Sequence, residues 1–374
     1  MNFIPYGRQS IDEDDILAVN EVLRSDFLTT GPRAKEFEEA LCKYCNAKYC
    51  IVVSNGTAAL HLASLILLKE EDKVLTTPNS FLATSNSILY AKAKPIFVDI
   101  CSDGSIDLDL CEDLLKKDSS IKVLYPVSFS GKALNEDRLR YLKERYSIKI
   151  LEDNAHSIGA KFDNIKVGSC KNCEVSIFSF HPVKNITTGE GGAVTTNSKE
   201  IYERLLALRN HGIVKKDEMY PWEYEMRTLG YNYRITDIQC ALGLSQLNRL
   251  DTFLKKRRDI AKRYHKFFEG SKLKPIYAFD KDSAYHLFVV RFPFDSFEQK
   301  ANFFTNMRRK GINLQLHYMP INKQPYYKSL GYGNEHTPVM DRYYLEAFSL
   351  PIYPNLSKKE QEFVVKTISE FLNV

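Results

Sequence analysis

One lysine of this 374-residue sequence stands where it could form a covalent bond with a ligand. Lys184 follows the apolar run Val175–Phe180 and precedes a stretch rich in threonine and glycine. A lone lysine is ordinarily a surface residue. Desolvation next to other cations, however, lowers the pKa of such an amine and makes it a nucleophile for carbonyl groups. The loop therefore marks Lys184 as a candidate catalytic residue.

An aspartate earlier in the chain gives this lysine a possible partner. Asp153 ends the apolar run Ile148–Asp153, and an acid at the end of a buried strand is costly unless it is paired. Two interpretations stay open. Asp153 caps the N-terminus of a following helix, or its carboxylate faces the protonated ring nitrogen of pyridoxal 5′-phosphate (PLP), a cofactor that needs such a partner.

A possible phosphate site lies at Ser54–Thr57, where a predicted strand ends and a helix begins. Free backbone N–H groups at a helix N-terminus bind phosphate, and Gly56 allows a close approach. Ser179 could donate to the same phosphate from another strand end. A simple N-cap explains Asn55 or Thr57 equally well. Nucleotide-binding fingerprints are absent, because the GxGxxG-like start at Gly189 breaks at Val194 and precedes a strand.

The surrounding patterns predict an α/β protein. Helical spacing covers residues 12–26 and 33–45, after which short apolar runs alternate with helical segments, which is typical of a mostly parallel sheet covered on both faces. The predicted strands and the helices between them are 49–54, 73–77, 83–90 (helix), 95–100, 123–128, 136–145 (helix), 148–153, 175–180 and 192–196. The loop His181–Gly191 is too short for a crossover helix, so the last two strands are expected to be antiparallel or irregularly joined.

Beyond this sheet a long helix is predicted from Thr236 to Phe268, with a possible bend. Strands at 285–291 and 312–316 and helices at 298–310 and 358–372 predict a smaller α+β domain. The length also favours about two domains.

Composition excludes several function classes. Hydrophobic residues make up 44%, charged residues 26% and the net charge is +5, as in an ordinary soluble globular protein. The basic run Lys255–Arg258 lies in a helical pattern and is interpreted as a solvated face, with a phosphate patch as the alternative. No nucleic-acid partner is predicted.

No run of about 18 apolar residues predicts a membrane span, and the polar, acidic segment Met1–Asp15 does not resemble a signal peptide. Two CxxC pairs, Cys42/Cys45 and Cys170/Cys173, lie too far apart in sequence for a zinc ribbon, so no metal is predicted. A reduced, cytoplasmic chain is expected.

Several segments together resemble the DegT/DnrJ/EryC1/StrS family of PLP-dependent aminotransferases of nucleotide-activated keto sugars. The resemblance extends from about Ile4 to about Pro354 and rests on Ser54–Leu60, Glu152–His156, Ser179–Lys184, Gly189–Gly192, Gly230–Arg234 and Leu316–Pro320. It implies aminotransferase fold type I. Residues 1–250 would form a large domain with a mostly parallel seven-stranded sheet covered by helices, and residues 251–374 a smaller α+β domain.

The resemblance also implies roles around the cofactor. Lys184 would be the Schiff-base lysine, Asp153 the partner of the ring nitrogen, and His156 would lie against the cofactor near its hydroxyl. The residues implied to hold the phosphate are Gly56, Thr57, Ser179 and, from the neighbouring subunit of a homodimer with shared sites, Asn232. Phe81 would stack on the ring, although core packing at a helix start is an equal alternative.

For the substrates, the resemblance implies L-glutamate as amino donor, 2-oxoglutarate as its product and a pyridoxamine phosphate (PMP) intermediate form of the cofactor. Lys184 would move the proton as general acid and base. The acceptor would be a UDP-linked 4-keto-6-deoxy-N-acetylhexosamine. Residues implied to line its pocket are Tyr6, Asp26, Phe27, Leu28, Thr29, His317 and Tyr318. Candidates for the diphosphate are Arg8, Arg227 and Arg234, with surface salt bridges as the alternative.

Other functions stay open. The acceptor could be another UDP-, dTDP- or GDP-linked keto sugar, aminated at C3 or C4. Family members that carry histidine in place of the lysine are dehydratases, which Lys184 argues against, although dehydration or decarboxylation is a third possibility. A PLP-binding regulator and a nucleotide-binding oxidoreductase are less favoured, since no DNA-binding segment and no glycine fingerprint are present.

Overall fold

The computed structural model describes residues 3–215 and 219–374. Its helices are α1 (Glu13–Leu23), α2 (Pro32–Cys45), α3 (Gly56–Leu67), α4 (Leu82–Tyr90), α5 (Leu108–Lys117), α6 (Glu136–Tyr146), α7 (Lys199–Arg209), α8 (Asp237–Asn248), α9 (Leu250–Phe267), α10 (Phe297–Arg309), α11 (Pro325–Ser329), α12 (Pro338–Glu346) and α13 (Lys358–Leu372). Its strands are β1 (Tyr49–Val53), β2 (Lys73–Thr76), β3 (Lys94–Phe97), β4 (Val123–Tyr125), β5 (Lys149–Asp153), β6 (Lys161–Phe162), β7 (Ile165–Lys166), β8 (Val175–Ser179), β9 (Gly192–Thr196), β10 (Ile213–Val214), β11 (Glu225–Met226), β12 (Lys274–Pro275), β13 (Phe288–Arg291) and β14 (Ala347–Leu350).

A seven-stranded sheet forms the centre of the larger part, in the order β1-β9-β8-β5-β4-β2-β3. Every neighbouring pair is parallel except those that involve β9, which runs antiparallel to both β1 and β8. The α/β fold class and the antiparallel arrangement of the last two strands are therefore confirmed. Because β1, β5 and β8 point the same way, their carboxyl ends meet at one edge of the sheet.

Helix α3 is almost entirely buried where it packs on one face of the sheet. Nine of its residues are buried, including the continuous run from Ala58 to Ser64, and it packs against β8 and β9. A helix that is apolar on most sides is stable only inside a core. Its position fixes its N-terminus, Gly56, beside the carboxyl end of β8.

The predicted long helix bends at Arg249, between α8 and α9. Thr236 and Gln239 form a capping box at the start of α8, and Arg249 pairs with the carboxylates of Asp12 and Asp15 at the start of α1. The bend thus ties the N-terminal helix to the connector between the two parts of the chain.

The C-terminal part is built on the antiparallel sheet β12-β13-β14. Its core also takes in Ile4, which is 1% exposed and forms a parallel bridge with Ile312. The predicted strand at 312–316 is wrong: Ile312 pairs with Ile4 and Gln315 with Ser349, and a segment that changes partner after three residues cannot extend a ladder. The predicted boundary between the two domains, after residue 250, stays a prediction.

Arg257 anchors α9 inside the fold. Its side chain is 1% exposed, and one guanidinium nitrogen donates to the carbonyl oxygens of Tyr285, His286 and Ile352 at 3.2, 3.3 and 3.0 Å. Burial lowers the pKa of Arg257 to about 10. The three carbonyl partners offset part of the cost of burying this cation, and they hold the segment that carries His286 against α9.

Among the described residues, no helix combines the length and the apolar character that crossing a membrane requires. The eight cysteines are free thiols. Across residues 3–215 and 219–374, no group of histidine, cysteine or acidic side chains is arranged to hold a metal ion.

Candidate active site

A cavity of about 1020 Å³ opens at the sheet edge where β1, β5 and β8 end. Residues of α3, of α4 and of the segment 315–318 also line it. Ten predicted site residues line it: Tyr6, Gly56, Thr57, Phe81, Asp153, His156, Ser179, Lys184, His317 and Tyr318. Residues that are far apart in sequence are thus brought together around a volume of the size that small-molecule sites have.

The N-terminus of α3 forms one end of the cavity. Asn55 is its N-cap and accepts a hydrogen bond from the backbone N–H of Ala58 at 2.8 Å, which confirms the capping interpretation for Asn55. The N–H groups of the next two residues, Gly56 and Thr57, have no partner within the helix and suit an anion. A Cβ at Gly56 would lie 2.9 Å from the Cβ of Ser179, so only glycine allows the start of α3 to approach the end of β8 this closely.

Asp153 is 4% exposed at the end of β5. Its carboxylate accepts hydrogen bonds from the Thr84 hydroxyl at 2.6 Å and from the Ala155 backbone N–H at 3.1 Å. Burial raises the pKa of Asp153, against the effect of these two donors and of the charge on Lys184. The segment directly after it forms turns rather than a helix, so the N-cap interpretation is wrong. A desolvated carboxylate of this kind is stabilised by a cation, such as a protonated ring nitrogen.

Lys184 lies in the loop between β8 and β9, and its side chain is half-buried. Burial lowers the pKa of Lys184 to about 8, while the charge on Asp153 acts in the opposite direction. Its amine is therefore partly neutral near physiological pH, which is the form that attacks a carbonyl group.

Phe81 is 59% exposed on the cavity wall, directly before α4. The alternative that it packs in the core at a helix start is wrong. Its ring centroid lies 6.4 Å from that of Tyr318. Because the side chain is largely exposed and lines the cavity, Phe81 can stack on a flat ligand.

Three histidines surround the lysine. His156, His286 and His317 all line the cavity and are at most 6% exposed. Burial, followed by the charge on Lys184, lowers the pKa of His317 to about 3 and places those of His156 and His286 well below the ordinary value. They are therefore neutral near pH 7, and each can donate or accept hydrogen bonds.

Five predicted residues lie outside this cavity. Asp26, Phe27, Leu28 and Thr29 form an exposed segment held at the start of α8, where the backbone N–H of Asp237 donates to the Leu28 carbonyl at 3.0 Å. Asn232 is exposed and bridges Asn210. A single chain does not bring these residues to its own Lys184.

The predicted diphosphate arginines also lie outside the cavity lining. Arg227 forms a salt bridge with Glu225, which agrees with the alternative interpretation for this residue. Arg234 donates a hydrogen bond to the Asn210 side chain at 2.5 Å. Arg8 lines a separate, smaller pocket with Tyr353.

Among the cavity residues that the sequence did not predict, two contact predicted site residues directly. Thr84 donates a hydrogen bond to Asp153. It follows Phe81, the N-cap of α4, by three residues, a spacing that brings side chains to one side of a helix and was an available signal. His286 lies within the predicted strand 285–291, so the sequence gives it no site role. That strand begins only at Phe288, which leaves His286 in a loop that faces the cavity.

The chain belongs to the DegT/DnrJ/EryC1/StrS aminotransferase family, whose profile matches residues 9–369. It is 40% identical to UDP-4-amino-4,6-dideoxy-N-acetyl-beta-L-altrosamine transaminase of Campylobacter jejuni, over 99% of this chain and 97% of that protein. It is 34% identical to the protein of the same name from Helicobacter pylori, over 99% of both chains.

Solved structures agree with these similarities. Helicobacter pylori PseC, an aminotransferase involved in the biosynthesis of pseudoaminic acid, superposes with a TM-score of 0.94 at 32% identity and complete coverage of both chains. The putative sugar aminotransferase Spr1654 of Streptococcus pneumoniae, in its PLP form, gives 0.91 at 30% identity over 99% of both chains. The predicted fold is confirmed.

PLP is the cofactor of this family, so the cofactor prediction is confirmed. The cavity fits it chemically. It offers a helix N-terminus and Ser179 for a phosphate, the buried carboxylate of Asp153 for a ring nitrogen, and an amine of lowered pKa, Lys184, for an aldehyde.

The pKa of Lys184 generates the first prediction. Borohydride trapping of PLP by the cofactor-free protein should become faster as pH rises, with a midpoint near 8 rather than 10.5, because deprotonation supplies the reactive amine. In Asp153→Asn the midpoint should fall further, since the charge that favours protonated Lys184 is removed. Stopped-flow absorbance measures both, and a wild-type midpoint near 10 would contradict a desolvated amine.

Proposed function

We propose that this protein transfers an amino group from L-glutamate to the C4 keto group of a UDP-linked 4-keto-6-deoxy-N-acetylhexosamine. The product would be UDP-4-amino-4,6-dideoxy-N-acetyl-β-L-altrosamine, the compound after which the relatives from Campylobacter jejuni and Helicobacter pylori are named. The reaction would belong to pseudaminic acid synthesis in the cytoplasm, and would serve glycans of bacterial surface proteins such as flagellin.

One observation carries the proposal: Asp153 and Lys184 line the same cavity, with opposite pKa shifts, beside the helix N-terminus at Gly56. An acid that favours a cationic neighbour and an amine that is partly neutral are what a pyridine-aldehyde cofactor needs at its two ends. PLP, when bound, stores the amino group and withdraws electrons from the reacting carbon.

The chain's own residues would divide the remaining work. The N–H groups of Gly56 and Thr57 and the Ser179 hydroxyl would bind the phosphate, and Phe81 would cover one face of the ring. Lys184 Nζ, whose pKa is lowered to about 8, would take a proton from one carbon and return it to another, because such an amine can act as base and as acid near neutral pH.

The acceptor sugar would lie on the side of the cavity formed by Tyr6, His317 and Tyr318. Tyr6 and His317 pack against each other with ring centroids 5.3 Å apart. His317 Nδ1 lies 2.8 Å from the Ser349 hydroxyl, which fixes the imidazole. These rings offer apolar faces and few charges, which suits a deoxygenated, N-acetylated sugar better than an unmodified hexose.

A second subunit would complete the site. In the described part of the chain the cavity lining includes one lysine, Lys184, and no arginine, whereas a nucleotide diphosphate and glutamate are both anionic. Asn232 and the segment 26–29 are exposed and unused by the chain's own cavity. A homodimer that places them in the partner's cavity would account for both facts.

The function generates a second prediction. The PLP-loaded protein should lose its visible cofactor band when L-glutamate is added and regain it with the UDP-4-keto sugar, releasing 2-oxoglutarate and a 4-amino sugar that NMR identifies. Lys184→Ala should retain the fold and lose turnover by at least a thousandfold. Turnover of a dTDP- or GDP-linked sugar in preference would overturn the acceptor, and a band that ignores glutamate would overturn transamination.

The shared site generates a third prediction. Lys184→Ala and Asn232→Ala homodimers should both be impaired, the second through weaker PLP binding. A mixed dimer of the two variants should recover about half of the wild-type activity, because one of its two sites then combines an intact Lys184 with an intact Asn232 from the other chain. Activity no higher than that of the Asn232→Ala protein would show that Asn232 does not act across the dimer.

A further inference from the structure

His156 has an asymmetric environment inside the cavity wall. It is 5% exposed, and its Nε2 lies 3.1 Å from the hydroxyl oxygen of Tyr318. Its other ring nitrogen, Nδ1, is buried and has no hydrogen-bond partner among the described residues. A buried polar atom without a partner is costly, so such an atom in a ligand cavity indicates that the ligand supplies the partner.

Tyr318 decides which nitrogen carries the proton. Burial raises the pKa of Tyr318, so its hydroxyl keeps its proton and acts as a donor. Within residues 3–215 and 219–374, His156 Nε2 is the one acceptor that this hydroxyl meets. A neutral imidazole carries one N–H, and a ring that accepts at Nε2 must carry it at Nδ1. The unpartnered atom is therefore a donor.

The tyrosine itself is held in place. Its backbone N–H donates to the side chain of Asn79 at 3.1 Å, and the carbonyl of the preceding residue, His317, accepts from the Tyr343 hydroxyl at 2.9 Å. The Tyr318 and His156 rings lie nearly parallel, at 22° and 6.1 Å between centroids. The hydroxyl therefore reaches Nε2 from a rigid support.

His286 and Gly131 pack against His156 on the other side and restrict the rotation of its ring. The ring of His286 lies 4.5 Å from it, centroid to centroid. Gly131, at φ +105°, lies between the two backbones: a Cβ there would come within 2.8 Å of the His286 nitrogen and 3.1 Å of the His156 carbonyl oxygen. The two histidines are thus packed against one glycine with no space for another residue type.

We propose that Tyr318 is a positioning residue: its hydroxyl holds His156 in the Nδ1–H form, so that this imidazole donates a hydrogen bond to the ring oxygen of the bound cofactor. In PLP that oxygen is bonded to the ring carbon next to the one that carries the aldehyde, so a cofactor joined to Lys184 would hold it on the lysine side of the ring. A donor at this position stabilises the deprotonated oxygen and lowers the pH at which the cofactor loses its proton. The inference rests on the proposed function for the identity of the cofactor.

The tautomer can be measured without the cofactor. In cofactor-free protein labelled with ¹⁵N-histidine, His156, assigned by its loss in His156→Gln, should show the Nδ1–H pattern of nitrogen shifts. In Tyr318→Phe it should change to Nε2–H or a mixture. Tyr233→Phe is the matched control, since it removes a similar contact, 3.0 Å to His61 Nδ1, on the same cavity, and His156 should keep its pattern there. Nε2–H in the wild type would overturn the inference.

The loaded protein gives a second readout. The titratable groups around His156 are Lys184, Asp153, His286, His317 and Tyr318. Tyr318→Phe should raise the pH midpoint of the visible cofactor band by about one unit, equivalent to a tenfold shift in the protonation equilibrium, whereas Tyr233→Phe should leave it unchanged. An unchanged midpoint in Tyr318→Phe, in a protein that still transaminates, would overturn this inference alone. The absence of any band in the wild type would overturn the proposed function and this inference with it.

Discussion

The organisation of the site depends on the free-energy cost of burying an acid and an amine in the same cavity. Asp153 and Lys184 each resist their charged form because of burial, and each favours the charge of the other. Removing one of the two charges therefore moves the pKa of the remaining group further from its ordinary value. The rest of the site can be understood from this constraint: Thr84 supplies a hydrogen bond to the acid, and the three neutral histidines surround the amine without adding a competing charge.

The fold provides the geometry by a simple rule. Parallel strands end at one edge, so the residues that follow β1, β5 and β8 meet although more than a hundred positions separate the first from the last. Strand β9 reverses direction, and the loop before it returns Lys184 to the same edge. The polar groups of the site are thus fixed by short connections on a rigid sheet, as a preorganised site requires.

This explains which parts the sequence predicts. The sheet, its antiparallel strand, the bent connector helix and the cavity position of Asp153 and Lys184 follow from apolar runs and the residues that end them. The strand at 312–316 and the contribution of His286 do not, because both depend on contacts between distant segments: Ile312 pairs with Ile4, and His286 meets His156 across Gly131. Local patterns carry no information on such pairings. The exposed position of residues 26–29 does not follow from local patterns either, since their proposed partners lie in another chain, whereas the exposed Asn232 agrees with its predicted role in the neighbouring subunit.

The central claim is that Lys184 is the amine that holds the cofactor, and one measurement tests it directly. The PLP-loaded protein is reduced with borohydride and digested, and the peptide that carries the phosphopyridoxyl group is identified by mass spectrometry, with Lys184→Ala as the control. We expect modification of Lys184 in the wild type and its loss in the variant. Modification of a different lysine in the wild type, or equal labelling of the Lys184→Ala protein, would contradict it.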